Sequence, residues 1–205
     1  MVSLLRFVYS AFKFCYFKIS LMYSKLMTSA KFTLNAVQYQ SDFTAYGIPI
    51  IYVKKNGYFS IGSNFIFNSG IYYNMIGRQQ KCYFIVYEEG KLHIGNNVSM
   101  SSTAIVCYKS ITIGDNVKIG GNVVIYDTDF HSLNHEERNH LPEIYNAQKK
   151  EVLIKSGAFI GAHSTILKGV VVGENSIIGS GSVVTKNVPD NQVWAGNPAK
   201  FIREI

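Results

Sequence analysis

The stretch Ile154–Val184 reads IKSGAFIGAHSTILKGVVVGENSIIGSGSVV, with an aliphatic residue at every sixth position: Ile154, Ile160, Ile166, Val172, Ile178 and Val184. Four residues after the first five stand Ala158, Ser164, Val170, Ser176 and Ser182, all small or β-branched. Glycine follows the aliphatic residue at Gly161, Gly173 and Gly179. A period of six fits neither a helix, with 3.6 residues per turn, nor a simple strand, with two. It suits a chain that coils in short straight strands with a sharp corner after each. One aliphatic side chain per strand points inward, and the small residue sits at the tight corner. Stacked coils then bury a column of Ile and Val, and each coil covers the strand edges of the next.

Upstream the same pattern recurs. Ile94, Met100 and Val106 are six apart, and after one extra residue, Thr112, so are Ile113, Ile119 and Ile125. Gly95, Gly114 and Gly120 again follow the aliphatic residue. Proline is absent from 50–141 and 143–188, as a hydrogen-bonded ladder between coils requires. The spacing predicts a mainly β chain forming a parallel β-helix. At three hexads per coil it gives about six coils, at a spacing of roughly 4.8 Å.

The register breaks once. After Ile113, Ile119 and Ile125 the next aliphatic slot is 131, and His131 fills it. The repeat resumes only at Ile154, so a polar loop over 131–153 is excluded from the coil. Loops of that length in a compact domain usually carry function. Just before it runs Asp127-Thr128-Asp129-Phe130-His131. The chemistry that fits is general base catalysis: a histidine can take a proton from a hydroxyl near neutral pH. Either Asp127 or Asp129 would hold the ring tautomer and stabilise the imidazolium. On spacing alone, a solvated surface loop fits as well.

Residues 3–33 read as one helix. Leu5, Val8, Phe12, Cys15, Ile19, Met22 and Leu26 form a single apolar stripe at alternating spacings of three and four, with Arg6, Lys13, Ser24 and Lys31 on the opposite arc. The stripe packs either on protein or on a membrane surface. Residues 1–59 are therefore expected as an N-terminal helical cap, 60–190 as the β-helix and 191–205 as a C-terminal segment.

The chain has 205 residues, 47% of them hydrophobic and 16% charged, which excludes a disordered or fibrous chain. Of the net charge of +7, residues 1–60 hold +6: seven basic residues against Asp42 alone. That asymmetry points to an anionic partner for the N-terminus, lipid before nucleic acid, since no nucleic-acid-binding motif is present. Three cysteines with no CxxC fit a reducing compartment and no disulfide framework. No run is long and apolar enough for a transmembrane helix, and the interrupting Lys13 and Lys18 disfavour a secretory signal.

The hexads, the exit at His131, and the ending Ile178-Gly179-Ser180-Gly181-Ser182-Val183-Val184-Thr185-Lys186 followed by Ala195-Gly196-Asn197-Pro198-Ala199-Lys200 resemble the hexapeptide-repeat acyltransferases. The branch they resemble holds galactoside and maltose O-acetyltransferases and the sugar O-acetyltransferases of capsule and lipopolysaccharide synthesis. The resemblance covers about 60–205 and is strong from 92 onward. It implies a left-handed coil, a hand unusual for parallel β connections, and a homotrimer with acetyl-CoA between neighbouring subunits. It further implies a sugar or glycan acceptor, a cytoplasmic location and no metal. His131 then becomes the base, with a backbone N–H steadying the oxyanion. Ala162 and Ser180 would line the pantetheine arm, and Thr185 and Lys186 the nucleotide end. Lys200 and Arg203 would meet phosphates, and Trp194 would either stack on adenine or simply pack the C-terminal segment. Ser102 stands where the galactoside branch carries a substrate-binding asparagine, and His135 and Glu136 are further candidate acceptor contacts.

That departure at Ser102, and the basic apolar helix, put a small galactoside in doubt as acceptor. Serine or an amino-sugar nucleotide remains open as acceptor, as does an inactive scaffold. A zinc site of the γ-carbonic anhydrase kind, from His131, His135 and His140, is disfavoured because all three lie in one loop.

Overall fold

In a computed structural model of the chain, residues 2–74, 76, 80–139 and 146–205 are described. Helix α1 spans Val2–Leu34, with no proline or glycine to interrupt it. It ends where Ala36 turns left-handed (φ 52°), which lets the Val37 N–H reach back to the Phe32 carbonyl at 2.9 Å. Six coils of three strands follow. They are β1 (Gln38–Tyr39), β2 (Thr44–Tyr46) and β3 (Ile50–Val53), then β4 (Tyr58–Ile61), β5 (Ile66–Asn68) and β6 (Tyr83–Val86). The third coil is β7 (Lys91–Ile94), β8 (Ser99–Ser101) and β9 (Ala104–Cys107), and the fourth β10 (Ser110–Ile113), β11 (Lys118–Gly121) and β12 (Val124–Tyr126). After the short helix α2 (His135–Arg138) come β13 (Val152–Ile154), β14 (Phe159–Ile160) and β15 (Thr165–Ile166), then β16 (Val171–Val172), β17 (Ile177–Ile178) and β18 (Val183–Val184). A hairpin of β19 (Gln192–Gly196) and β20 (Ala199–Glu204) closes the far end.

Every third strand joins one sheet. β1, β4, β7, β10, β13 and β16 make the first face. β2, β5, β8, β11, β14 and β17 make the second, which the hairpin extends. β3, β6, β9, β12, β15 and β18 make the third. All coil-to-coil pairings are parallel, in the registers that the hexads predict, such as Ile113↔Ile154 and Ile166↔Val184. The aliphatic slots are buried, as are Ala158, Ser164, Ser176 and Ser182, with one correction: Ile105, which pairs with Ile125, fills the slot read as Val106, and Val106 is half-buried.

One corner is built from asparagines with positive φ. Asn64, Asn97 and Asn116 stack there, each side-chain amide donating to the next at 3.1 Å. Gly157 (φ 73°) takes this place in the fifth coil, where a Cβ would lie 2.2 Å from Asn175 Oδ1.

The β-helix starts at Gln38, not at 60, so part of the segment read as cap is the first coil. The inward slots of the first two coils hold Phe43, Phe59, Phe65, Phe67 and Phe84 in place of Ile and Val. A 14-residue insertion, 69–82, also separates β5 from β6 and breaks the period. Phe32 of α1 plugs the open end of the column, with its ring 5.3 Å from Phe43 and 6.4 Å from Phe59. Phe32→Ala is expected to cost about 3–5 kcal/mol of stability in urea unfolding, because it opens the column end to water. A loss under about 1 kcal/mol would mean that the plug is dispensable.

The apolar stripe of α1 is not the face that packs on this chain. Ser24, Thr28 and Phe32, four apart and buried, grip the first coil. Lys31 Nζ donates to the Pro49 carbonyl at 2.9 Å, and Ser20 shares a hydrogen bond with the Tyr73 hydroxyl. Small side chains allow the close approach, and the stripe is left facing outward.

Candidate functional site

The chain leaves the prism at the corner after β12. Asp127 is buried there, and its carboxylate accepts the backbone N–H groups of Tyr108, Lys109 and Ser110 at 2.7, 2.6 and 2.8 Å. These donors form the same corner of the coil before. The Cys107 thiol, also turned to this carboxylate at 3.7 Å, is pushed up by burial first and by the Asp127 charge second. Asp127, predicted as a catalytic partner of His131, is thus committed to holding the corner.

Asp129 is placed differently. Its Oδ1 forms an ion pair with Lys168 Nζ at 3.1 Å, both side chains being mostly buried, while Oδ2 is buried and accepts no hydrogen bond. Burial, and then the Asp129 charge, raise the neighbouring Tyr126 hydroxyl. Lys168 went unread in the sequence, although it follows Ile166 by two places as Lys186 follows Val184.

Exit and re-entry of the excluded loop are zipped together. Thr128 bridges Lys149 antiparallel, the Asp129 N–H donates to the Gln148 carbonyl at 3.1 Å, and the Lys150 N–H to the Asp127 carbonyl at 2.9 Å. Phe130 then turns with φ 63°, a conformation few bulky residues adopt, and packs its ring against Tyr126 at 5.2 Å. His131 follows directly and is exposed. Beyond it α2 is capped by Asn134, whose side chain accepts the Glu136 N–H at 3.0 Å. Ser132 bonds Glu137, and Arg138 holds the Ser132 carbonyl at 2.9 Å. His135 and Glu136 are both exposed on that helix.

The predicted acyl-carrier positions fall on three sites. From the pairings Ile119↔Ile160↔Ile178, Gly121, Ala162 and Ser180 share one register position at the corner before the third face. The corner is tight between coils, since a Cβ on Gly161 would lie 2.5 Å from the Ser180 nitrogen. It is open outward, since a Cβ on Gly181 would meet nothing within 4 Å. Thr185 and Lys186 lie at the other corner of that face, two coils beyond the His131 exit, and both are exposed. Lys200 is exposed on the hairpin, and Arg203 there donates to the Glu204 carbonyl. Trp194 is half-buried against the core, with its indole N–H on Gln192 Oε1 at 2.8 Å.

Ser102 does not face an acceptor pocket in this chain. It is fully buried, its hydroxyl takes the Asn74 amide at 2.9 Å and its carbonyl the Gln80 amide at 2.8 Å. It anchors the 69–82 insertion, a role the sequence did not signal because the insertion has no readable period. His140 lies outside the described residues. Among the described residues, no three His, Cys, Asp or Glu side chains gather as a metal site.

Three faces of parallel strands and a six-residue period make this a parallel β-helix of hexapeptide repeats, with His131 where an excluded loop leaves it. Comparison with known proteins agrees. The family described as "Bacterial transferase hexapeptide (six repeats)" matches 151–186, and "Hexapeptide repeat of succinyl-transferase" matches 92–127. Over those two segments the chain is similar to the hexapeptide-repeat transferases.

Galactoside O-acetyltransferase of Escherichia coli is 43% identical over 115 residues, covering 56% of this chain and 54% of that protein. The chain therefore spans about half the length of that relative. The crystal structure of the polySia-specific acetyltransferase NeuO superposes with TM-score 0.64 at 26% identity, covering 82% of this chain and 66% of that one. A galactoside acetyltransferase in complex with coenzyme A superposes with TM-score 0.50 at 28% identity, covering 82% and 64%.

Proposed function

We propose that the protein transfers an acetyl group from acetyl-CoA to a sugar hydroxyl of a polysaccharide, lipopolysaccharide or their precursor, with His131 as general base. The observation that carries this reading is His131, exposed at the mouth of a zipped excluded loop, two coils from Thr185 and Lys186 along the same corner. His131 takes the proton of the acceptor hydroxyl, and the oxygen attacks the thioester carbonyl. The tetrahedral intermediate collapses with loss of the CoA thiolate, which is then protonated. The donor set fits acetyl-CoA. Small side chains at Ala162 and Ser180 leave room for the thin pantetheine arm along the backbone, while Lys186 and Lys200 offer cations to the phosphates.

Asp129, not Asp127, is the carboxylate free to serve the imidazolium, because one of its oxygens is uncommitted. Asp129→Asn is expected to lower kcat by at least ~10-fold at unchanged KM for acetyl-CoA. Partial recovery in Asp129→Glu would separate positioning from folding. Unchanged kcat in Asp129→Asn would assign the carboxylate to Lys168 alone.

A homotrimer that completes the acyl-carrier groove, a cytoplasmic location and a peripheral membrane contact through 3–33 belong to this reading. No described helix is long and apolar enough to cross a membrane. The direct test is thiol release from acetyl-CoA against sugars, lipid-linked glycans, serine and amino-sugar nucleotides. Turnover on a glycan supports the reading. Turnover confined to serine or an amino sugar moves the acceptor class, and failure to bind CoA at all removes acyl transfer.

A further inference from the structure

We propose that residues 4–19 of α1 dock this protein on an anionic lipid surface, with residues 20–34 as the rigid mount. The idea draws its purpose, reaching a lipid-linked acceptor, from the function proposed above, but its test does not depend on acyl transfer. Ser24, Thr28 and Phe32 bind α1 to the first coil, while Met22 and Leu26 lie about half a turn away and are exposed. The whole stripe shares that outward face: Leu5, Val8, Phe12, Cys15 and Ile19 are exposed as well. The N-terminal part, a shaft of about 24 Å at 1.5 Å per residue, also exposes apolar groups off the stripe, with Phe7 at 71% and Phe14 at 61%. A patch this size on a water-soluble domain marks an interaction surface.

Two occupants compete, and charge and geometry separate them. A coil formed with a second copy would cover only the three-four seam and leave Phe7 and Phe14 in water. It would also gather Arg6, Lys13, Lys18 and Lys25 from each helix with no acidic residue before Asp42 to pair with them. A lipid surface wets the shaft more broadly and supplies the missing negative charge. The cations are arranged for it. Lys13 Nζ lies over the Tyr9 ring at 5.3 Å and Lys18 Nζ over the Phe14 ring at 5.4 Å, so each cation sits on an aromatic of the exposed shaft.

The chain carries its own reporter. Cys15 is exposed on the stripe, whereas Cys82 and Cys107 are buried, so a maleimide fluorophore labels Cys15 in the folded chain. The labelled protein is mixed with vesicles of phosphatidylcholine and phosphatidylglycerol, or of phosphatidylcholine alone, and sedimented. The expected result is co-sedimentation and blue-shifted emission with the anionic vesicles only, weakened by salt. The triple change Phe7→Ser, Phe12→Ser, Phe14→Ser should reduce binding at least ~10-fold. Arg6→Gln with Lys13→Gln and Lys18→Gln should erase the preference for phosphatidylglycerol.

His131→Ala should bind vesicles like the parent, and the phenylalanine variant should release CoA thiol from acetyl-CoA, with a soluble acceptor, at the parental rate. Loss of either reading is thereby distinguishable from loss of the other. Absence of the parent from the anionic pellet overturns the proposal. So does a Cys15 that is shielded, and oxidises to a cross-link with a second copy, before any vesicle is added.

Discussion

His131→Ala should lower kcat for acetyl transfer by about 10²–10⁴-fold, the range expected for losing a general base. The KM for acetyl-CoA should stay within a few-fold, because the residues proposed to hold the carrier lie in the fifth and sixth coils and on the closing hairpin. The melting temperature should not move. His131 is exposed, follows a turn set by Phe130, and contributes no side chain to the column. Measuring kcat, KM and thermal unfolding on one preparation checks all three. A drop of less than about 5-fold would remove His131 from the chemistry and leave the neighbouring loop, His135 included, as the place to look.

Asp127, four residues earlier, should behave in the opposite way. Asp127→Ala strips the acceptor from three backbone N–H groups at a buried corner. A hydrogen bond to a charged group contributes about 1.5–3 kcal/mol, so the loss should be about 4 kcal/mol or more. That is a large share of a typical domain's stability of about 5–15 kcal/mol. Asp127→Asn should fall between: one oxygen can still serve two donors, but the new amide faces the third. Circular dichroism should therefore show Asp127→Ala melting far below the parent, or failing to accumulate folded, whereas Asp129→Asn loses much less. If Asp127→Asn melts like the parent and only its kcat falls, the carboxylate is catalytic and the corner is held otherwise.

The contrast between these two aspartates shows where reading the sequence stopped. Both stand beside His131 and both are acids, so spacing could nominate the pair without separating them. What separates them is the third dimension: Asp127 points at Tyr108, Lys109 and Ser110 one coil away, 17–19 residues earlier in the chain. The coil was legible over most of 92–184, because nearly every inward slot holds an aliphatic residue, but the reading slipped by one at Val106, where Ile105 points inward. The first two coils were not, because Phe43, Phe59, Phe65, Phe67 and Phe84 fill a wider end with larger groups, and 69–82 interrupts the count. Helix α1 was legible in extent, yet its packing face was not. Ser24 and Thr28 are unremarkable in sequence and become a contact only against the first coil. Ser102 was misplaced for a related reason: what covers it, Asn74 and Gln80, belongs to that unreadable insertion.

The zipped base of the excluded loop has a consequence for how such a chain changes over time. The ribbon formed by 127–129 and 148–150 fixes both ends of the loop. Residues 132–139 can then vary without disturbing the column, while His131 stays at the fixed exit next to Phe130. In the reading proposed above, acceptor preference becomes separable from fold stability, and a designer can transplant the segment between relatives at the same two seams.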